Sequence, residues 1–336
     1  MMAQSFDLLT IGNAIVDILS RTDDRFLSDH GIDKSAMTLI DAERAEALYA
    51  AMGPAIEASG GSAGNTVAGV VSLGGTGAYI GKVADDALGA IFTHDIRALG
   101  VHFETVPLPA GGPPTARSMI LVTPDGERSM NTHLGACVEL GPEDIDAETV
   151  SAARVTYFEG YLWDPPRAKE AIRLAARIAH EAGREVAMTL SDAFCVLRWR
   201  DEFLELIRSG TVDIVFANEA ELLALYEKND FDAAASRLAA DVKRFACITR
   251  SEKGCVIADG DERVVVPATL VPEVVDTTGA GDLFASGFLR GYTAGLDHRQ
   301  SAQLGVIAAG RVIAQLGPRP LERLADRPEV RAILNR

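Results

Sequence analysis

The chain has 336 residues, 48% of them apolar and 24% charged, with 32 basic against 48 acidic side chains and a formal net charge of -16. That apolar content is enough for a large buried core, which excludes a disordered chain. The acidic balance leaves no broad electropositive surface for counterion release, which excludes a nucleic-acid partner. It also repels anions at long range, so a polyphosphate site would have to be built locally from helix amides, a metal and a few placed arginines.

From the N-terminus, the apolar run Leu8 to Leu19 is too short to span a bilayer, contains Asp17 and lacks a basic leader. Cys137, Cys195, Cys247 and Cys255 show no CxxC pairing and lie in apolar surroundings, as buried thiols of a reducing compartment do. Together these predict a cytoplasmic protein without a membrane partner. Strands are predicted at Leu8–Gly12, Ala78–Val83, Val155–Glu159, Val186–Leu190, Ile214–Ala217 and Cys247–Arg250. Helices are predicted at Asn65–Leu73, Ala87–Leu99, Arg167–Ala182, Glu219–Tyr226, Asp232–Asp241 and Ala280–Ala294. Short apolar runs alternating with amphipathic helices define an α/β protein, a doubly wound, mostly parallel sheet with helices on both faces.

Thr105 to Leu134 breaks the rhythm. A Gly-Gly-Pro-Pro stretch precedes Arg117–Thr123, a Pro-Asp-Gly turn and Arg128–Thr132, which predicts a β-hairpin. Ile15–Ser20 and Ala36–Leu39 could pair with it as a small β-sheet, either a lid over a cleft or an edge feature with no catalytic part. The whole chain, 1–336, then forms one unit, with lid segments at about 15–40 and 103–135 and a large α/β nucleotide-binding part from the remainder.

Val274 to Gly291 reads V-V-D-T-T-G-A-G-D-L-F-A-S-G-F-L-R-G, a predicted strand running into a glycine-bracketed turn and then an amphipathic helix. The free amides of Gly279, Ala280, Gly281 and Asp282 would converge at the positive helix end, where charge on a transferring phosphoryl group is best stabilised. An aspartate there could accept the proton of an attacking hydroxyl; equally, Asp282 could simply cap the helix. A dinucleotide fingerprint fits poorly, because Phe284 occupies the third glycine position and the aspartate would repel a pyrophosphate. Gly60-Gly61-Ser62-Ala63-Gly64-Asn65-Thr66 also enters a helix and suits close approach of a hydroxylated ligand, or a plain structural turn.

The two stretches, in this order and more than two hundred residues apart, resemble those of the ribokinase-like (PfkB) carbohydrate and nucleoside kinases over nearly the full length. The resemblance implies that ATP donates the phosphoryl group, that Asp282 is the base and that the Gly279–Asp282 backbone is the anion hole. It places Asn218 and Glu221, in Asn218-Glu219-Ala220-Glu221, at the phosphate shell, with Glu221 reaching magnesium through water. Thr249, Gly254 and Thr277 would lie near the nucleotide, although Lys253 stands where the family often has glycine. Gly12-Asn13-Ala14-Ile15-Val16-Asp17-Ile18 is similar to the first-strand motif of the family's adenosine kinases, in which Asn13, Asp17, Gly61, Ser62 and Asn65 would hold a ribose.

Met130, Leu134, Tyr161 and Phe194 match wall positions of a purine slot, though each alone reads more readily as ordinary core and only the set points to a base. Arg128 matches an arginine that covers the transferring phosphate, or is an exposed hairpin residue. The expected acceptor is the 5'-hydroxyl of adenosine. Ala14 and Met37 depart from the adenosine kinase pattern and leave room for ribose, fructose or ketodeoxygluconate, while a non-catalytic nucleoside-binding regulator would keep the fold without turnover. The resemblance leaves monomer and homodimer open, and also a potassium ion near Asp276.

Overall fold

The computed structural model describes residues 5–335; residues 1–4 and 336 of the expected unit lie outside the described residues. The strands in chain order are β1 (Phe6–Ile11), β2 (Ile15–Arg21), β3 (Met37–Leu39), β4 (Ala55–Ser59), β5 (Gly77–Ile80), β6 (Ala116–Val122), β7 (Arg128–His133), β8 (Ala153–Glu159), β9 (Glu185–Thr189), β10 (Ile214–Asn218), β11 (Phe245–Thr249), β12 (Cys255–Asp259) and β13 (Glu262–Val266). They form two sheets. The larger runs β13-β12-β11-β10-β9-β8-β1-β5 and the smaller β3-β7-β6-β2-β4.

The larger sheet is parallel from β5 to β11 and antiparallel at β12 and β13. Its central strands are apolar on both sides because both faces are covered. Leu9, Phe158 and Val215 join Trp163, Ile172 and Phe203 in one core; Leu8, Tyr157 and Phe216 join Tyr79, Phe92 and Phe288 in the other. The six strands predicted by range occur, within two or three residues at their ends, with Ala78–Val83 stopping at Ile80 because Gly81 and Lys82 leave the ladder; the strand expected to run into the Gly279 turn does not form, the chain from Val274 to Thr277 pairing with no strand. The six predicted helices occur as well.

The smaller sheet contains the predicted hairpin, β6 and β7, joined across the Pro124-Asp125-Gly126 turn. β2 pairs parallel with β6, and β3 parallel with β7. Sequence patterning misses β4, an alanine-rich edge strand with weak β-propensity that pairs antiparallel with β2. It also misses the β12–β13 edge hairpin and the helices Ala42–Ala51, Ala193–Arg208 and His298–Ile313.

Two helices place the site. Ser62–Ser72 is buried along most of its length, from Ala63 to Val70, so it carries no polar stripe. It packs against Ala280–Thr293, where Ser286 Oγ donates across the interface to the Thr66 carbonyl at 2.8 Å. That contact brings the N-termini of the two helices, and with them the two sequence motifs, to one place.

Candidate active site

Gly279 takes a left-handed conformation (φ 77°) and is the N-cap of Ala280–Thr293. A side chain there would strike Pro318, which a Cβ would approach to 2.6 Å at its carbonyl oxygen, so only glycine fits the turn. Asp282 stands in the first turn of the helix, and its carboxylate does not cap it. Oδ1 accepts from Ser62 Oγ at 2.6 Å and Oδ2 from Asn65 Nδ2 at 3.0 Å. The simple capping role is therefore excluded by geometry: the carboxylate is spent on the other motif. Burial raises the Asp282 carboxyl above its ordinary range, against the pull of Ser62, Asn65 and Arg319.

A second acid, this one buried, organises the glycine-rich start. Glu159, at the end of β8, accepts from the Asn13 amide at 2.9 Å, from Asn13 Nδ2 at 2.8 Å and from the Ala63 amide at 2.8 Å. Burial lifts it to about 7 in spite of those donors. Asp17 on β2 is pushed up to about 7 by burial, opposed by Arg319 and Arg128. Gly60 and Gly61 permit this approach: a Cβ on Gly60 would lie 2.3 Å from the Asp17 carboxyl carbon, and one on Gly61 (φ 83°) 2.3 Å from the Asn13 carbonyl oxygen.

Arg128 on β7 reaches out of the smaller sheet. It pairs with the buried Asp276 and donates to Thr278 Oγ1 at 2.9 Å. The same Asp276 carboxylate accepts from the amides of Thr278 at 3.0 Å and Gly317 at 2.8 Å. Asn218 caps the helix Glu219–Tyr226 in a reciprocal box with Glu221, whose carboxylate accepts from the Asn218 amide at 2.9 Å and from Nδ2 at 2.6 Å. Burial raises Glu221 to about 7.

A cleft of about 800 Å³ opens at the C-terminal ends of β9, β10 and β11. It is lined by Ser62, Asn218, Glu221, Thr249, Gly254, Thr277 and the whole Gly279–Asp282 turn. This is the carboxyl edge where open α/β sheets bind ligands. Gly254 is left-handed (φ 88°) against the Val266 carbonyl, a fit that leaves no room for a side chain.

The slot candidates are dispersed. Met130 is half-buried beside Met37 across the β3–β7 pairing, and Leu134 is half-buried at the entry to the short turn Gly135–Glu139. Tyr161 packs on the core, with its amide donating to Ser191 Oγ at 3.3 Å. Phe194 is 65% exposed, with the Arg198 guanidinium 4.7 Å above its ring. Sequence reading misses Glu159 and Arg319. Glu159 follows a plain apolar strand, and the signal it offered was a charged residue at the carboxyl end of a central strand. Arg319 lies in the Gly317-Pro318-Arg319-Pro320 loop, whose bracketing prolines mark a fixed backbone.

Residues 36–323 match the model of the pfkB family carbohydrate kinases. The chain belongs to that family, whose members are ATP-using phosphotransferases with an alcohol acceptor. It is similar to the crystal structure of adenosine kinase from Sinorhizobium meliloti, at 68% identity over 96% of this chain and 98% of that one, with a TM-score of 0.90. A probable sugar kinase from Rhizobium etli is 64% identical over 98% of this chain and all of its own, with a TM-score of 0.92. The curated adenosine kinase of Saccharomyces cerevisiae is 27% identical over 95% of this chain and 98% of its own length. No helix among the described residues is long and apolar enough to cross a membrane, and all four cysteines are free and buried.

Proposed function

We propose that the protein transfers the γ-phosphoryl group of ATP to the 5'-hydroxyl of adenosine, giving AMP and ADP. The observation that carries this reading is the position of Asp282, a half-buried carboxylate at a helix N-terminus, facing the cleft and held by Ser62 and Asn65 of the glycine-rich motif. Its proton affinity, raised by burial, brings it nearer to that of an effective general base at neutral pH. The acceptor hydroxyl gives its proton to Asp282 as the oxygen attacks phosphorus. The amides of Gly279 and Gly281 stabilise the charge that gathers on the transferring group, while the Ala280 amide, expected to share that role, donates to the Thr277 carbonyl at 3.2 Å.

Asn13, Asp17, Gly61 and Asn65 are the groups we assign to the ribose; their closeness to Asp282 through Glu159 and Arg319 supports this. Thr249, Gly254, Thr277 and Asn218 are assigned to the nucleotide. Glu221 is the acid for magnesium. Its carboxylate is already engaged by Asn218, and among the described residues no three His, Cys, Asp or Glu side chains are placed to hold a metal ion together. Binding through water and phosphate oxygens fits that donor set better than a cage of side chains; bound there, magnesium would neutralise phosphate charge. A potassium ion at the anion turn would have to share Asp276 with Arg128 and two amides.

The smaller sheet acts as the lid, with Arg128 its contact to the anion turn. Met130, Leu134, Tyr161 and Phe194 form the base slot only once that lid closes. The buried free thiols suit a cytoplasmic setting. A sugar acceptor is the second reading, favoured by the dispersed slot residues and the 64% identical probable sugar kinase. A coupled ADP-release assay against adenosine, inosine, guanosine, ribose, fructose and ketodeoxygluconate separates them. Adenosine should win in kcat/KM by about a hundredfold, or roughly 2.7 kcal/mol; a winning free sugar would overturn the acceptor while leaving the base in place.

A further inference from the structure

We propose that Arg319 is a positioning residue of the phosphoryl-transfer site: it fixes the Asn65 amide, and through it the Asp282 carboxylate, and supplies the positive charge beside Asp17 and Asp282. The inference rests on the reading of Asp282 as the base.

Arg319 lies on the loop that follows the helix His298–Ile313, outside both sequence motifs. Its guanidinium is buried and spreads over the start of the glycine-rich helix. Nε donates to Asn65 Oδ1 at 3.0 Å, one terminal nitrogen donates to Ser59 Oγ, and the other reaches the Gly60 carbonyl at 3.4 Å. Asp95 Oδ2 lies 3.7 Å away and accepts from Ser59 Oγ and from the Ser59 amide at 2.9 Å.

These contacts decide which way the Asn65 amide faces. Its oxygen takes the Arg319 Nε–H, and its nitrogen is therefore turned to Asp282 Oδ2 at 3.0 Å. The flipped amide would set N–H against guanidinium and oxygen against carboxylate, losing both bonds. An asparagine alone has no such preference; the arginine imposes it.

The loop is itself fixed at the anion turn. The Arg319 carbonyl accepts from Gln315 Nε2 at 2.6 Å, the Gly317 amide donates to Asp276, and Pro318 packs on Gly279. One short segment therefore touches Asp276, Gly279 and Asn65 together. Charge points the same way. The groups facing Asp282 are Asp17 from β2, Tyr157 and Glu159 from β8, and Arg319, the cation among them. Two buried acids, Asp17 and Glu159, gathered with the half-buried Asp282 where a polyphosphate must come need a fixed counter-charge.

The test is the titration of Asp282, followed by the carboxyl ¹³C NMR of aspartate-labelled full-length protein and assigned by comparison with Asp282→Asn. In Arg319→Gln the Asp282 titration should move up by about one pH unit, and the acidic limb of kcat for adenosine should move with it. An unmoved titration in a folded Arg319→Gln overturns the proposal, whatever the acceptor. A moved titration in a protein that does not phosphorylate adenosine keeps it and removes the adenosine reading. Arg319→Lys retains the charge but cannot reach Asn65, Ser59 and Gly60 at once. It should move the titration up by less than Arg319→Gln does, since the charge stays while the Asn65 donor is loosened, leave KM for ATP unchanged and lower kcat about tenfold; wild-type kcat in this variant overturns the orienting role even if Arg319→Gln does not fold.

Discussion

Arg128, on the hairpin of the smaller sheet, and Asp276, on the turn that leads into the catalytic helix, form a buried ion pair that joins the two sheets at the anion turn. Asp276 keeps two backbone donors besides, from Thr278 and Gly317, so the arginine can leave it without stranding the carboxylate. In the proposed reaction Arg128 would exchange Asp276 for a phosphate oxygen when nucleotide binds. Arg128→Ala should therefore lower kcat by about 10- to 100-fold and change KM for the acceptor much less. An unchanged kcat would take Arg128 out of the reaction.

The left-handed Gly61 carries a steric prediction. With φ 83° and a Cβ placed 2.3 Å from the Asn13 carbonyl oxygen, Gly61→Ala must move the first-strand turn. Strain of this kind costs about 1–3 kcal/mol, measurable as a lower midpoint in urea unfolding. KM for the acceptor should rise as well, since Asn13 moves with the turn. A variant with unchanged stability and KM would show the turn to be compliant.

Glu159 makes stability depend on pH. Its carboxyl is raised by burial to about 7 in the folded protein, against about 4.3 in an unfolded chain. The folded state therefore holds the proton more tightly, and this contribution is fully present below about pH 4 and lost as pH rises through 7. The shift corresponds to about 4 kcal/mol across that window. Glu159→Gln should flatten the fall in stability between pH 5 and pH 8, followed by thermal unfolding; an equal fall in wild type and variant would assign the slope elsewhere. Asp17, also raised to about 7, adds a slope of the same sign in both proteins.

Six strands of the larger sheet, β1, β5 and β8 to β11, were legible because each is a short apolar run between turn or cap residues, whereas the partly exposed β12–β13 edge hairpin was not. The hairpin around Pro124-Asp125-Gly126 was legible for the same local reason. β4 was hidden because Ala55–Ser59 has neither β-branched density nor alternation and is held by its partner β2. Asp282 and the glycine pair were legible as motifs, but their hydrogen bonds were not, since they join positions 217 and 220 residues apart. Arg319 offered only the prolines on either side of it, which mark a fixed backbone and say nothing of its partners; its role comes from what the loop touches. Phe194 matched a family position, yet its side chain stands in solvent, a reminder that register fixes position and not contact.

The most direct test of the account is Asp282→Asn, comparing single-turnover phosphorylation of adenosine with equilibrium binding of adenosine. Asparagine keeps the shape and the contact with Ser62 but cannot accept the hydroxyl proton. The account predicts a rate lower by about 10³-fold or more with binding little changed. A residual rate above about a tenth of wild type would contradict Asp282 as the base.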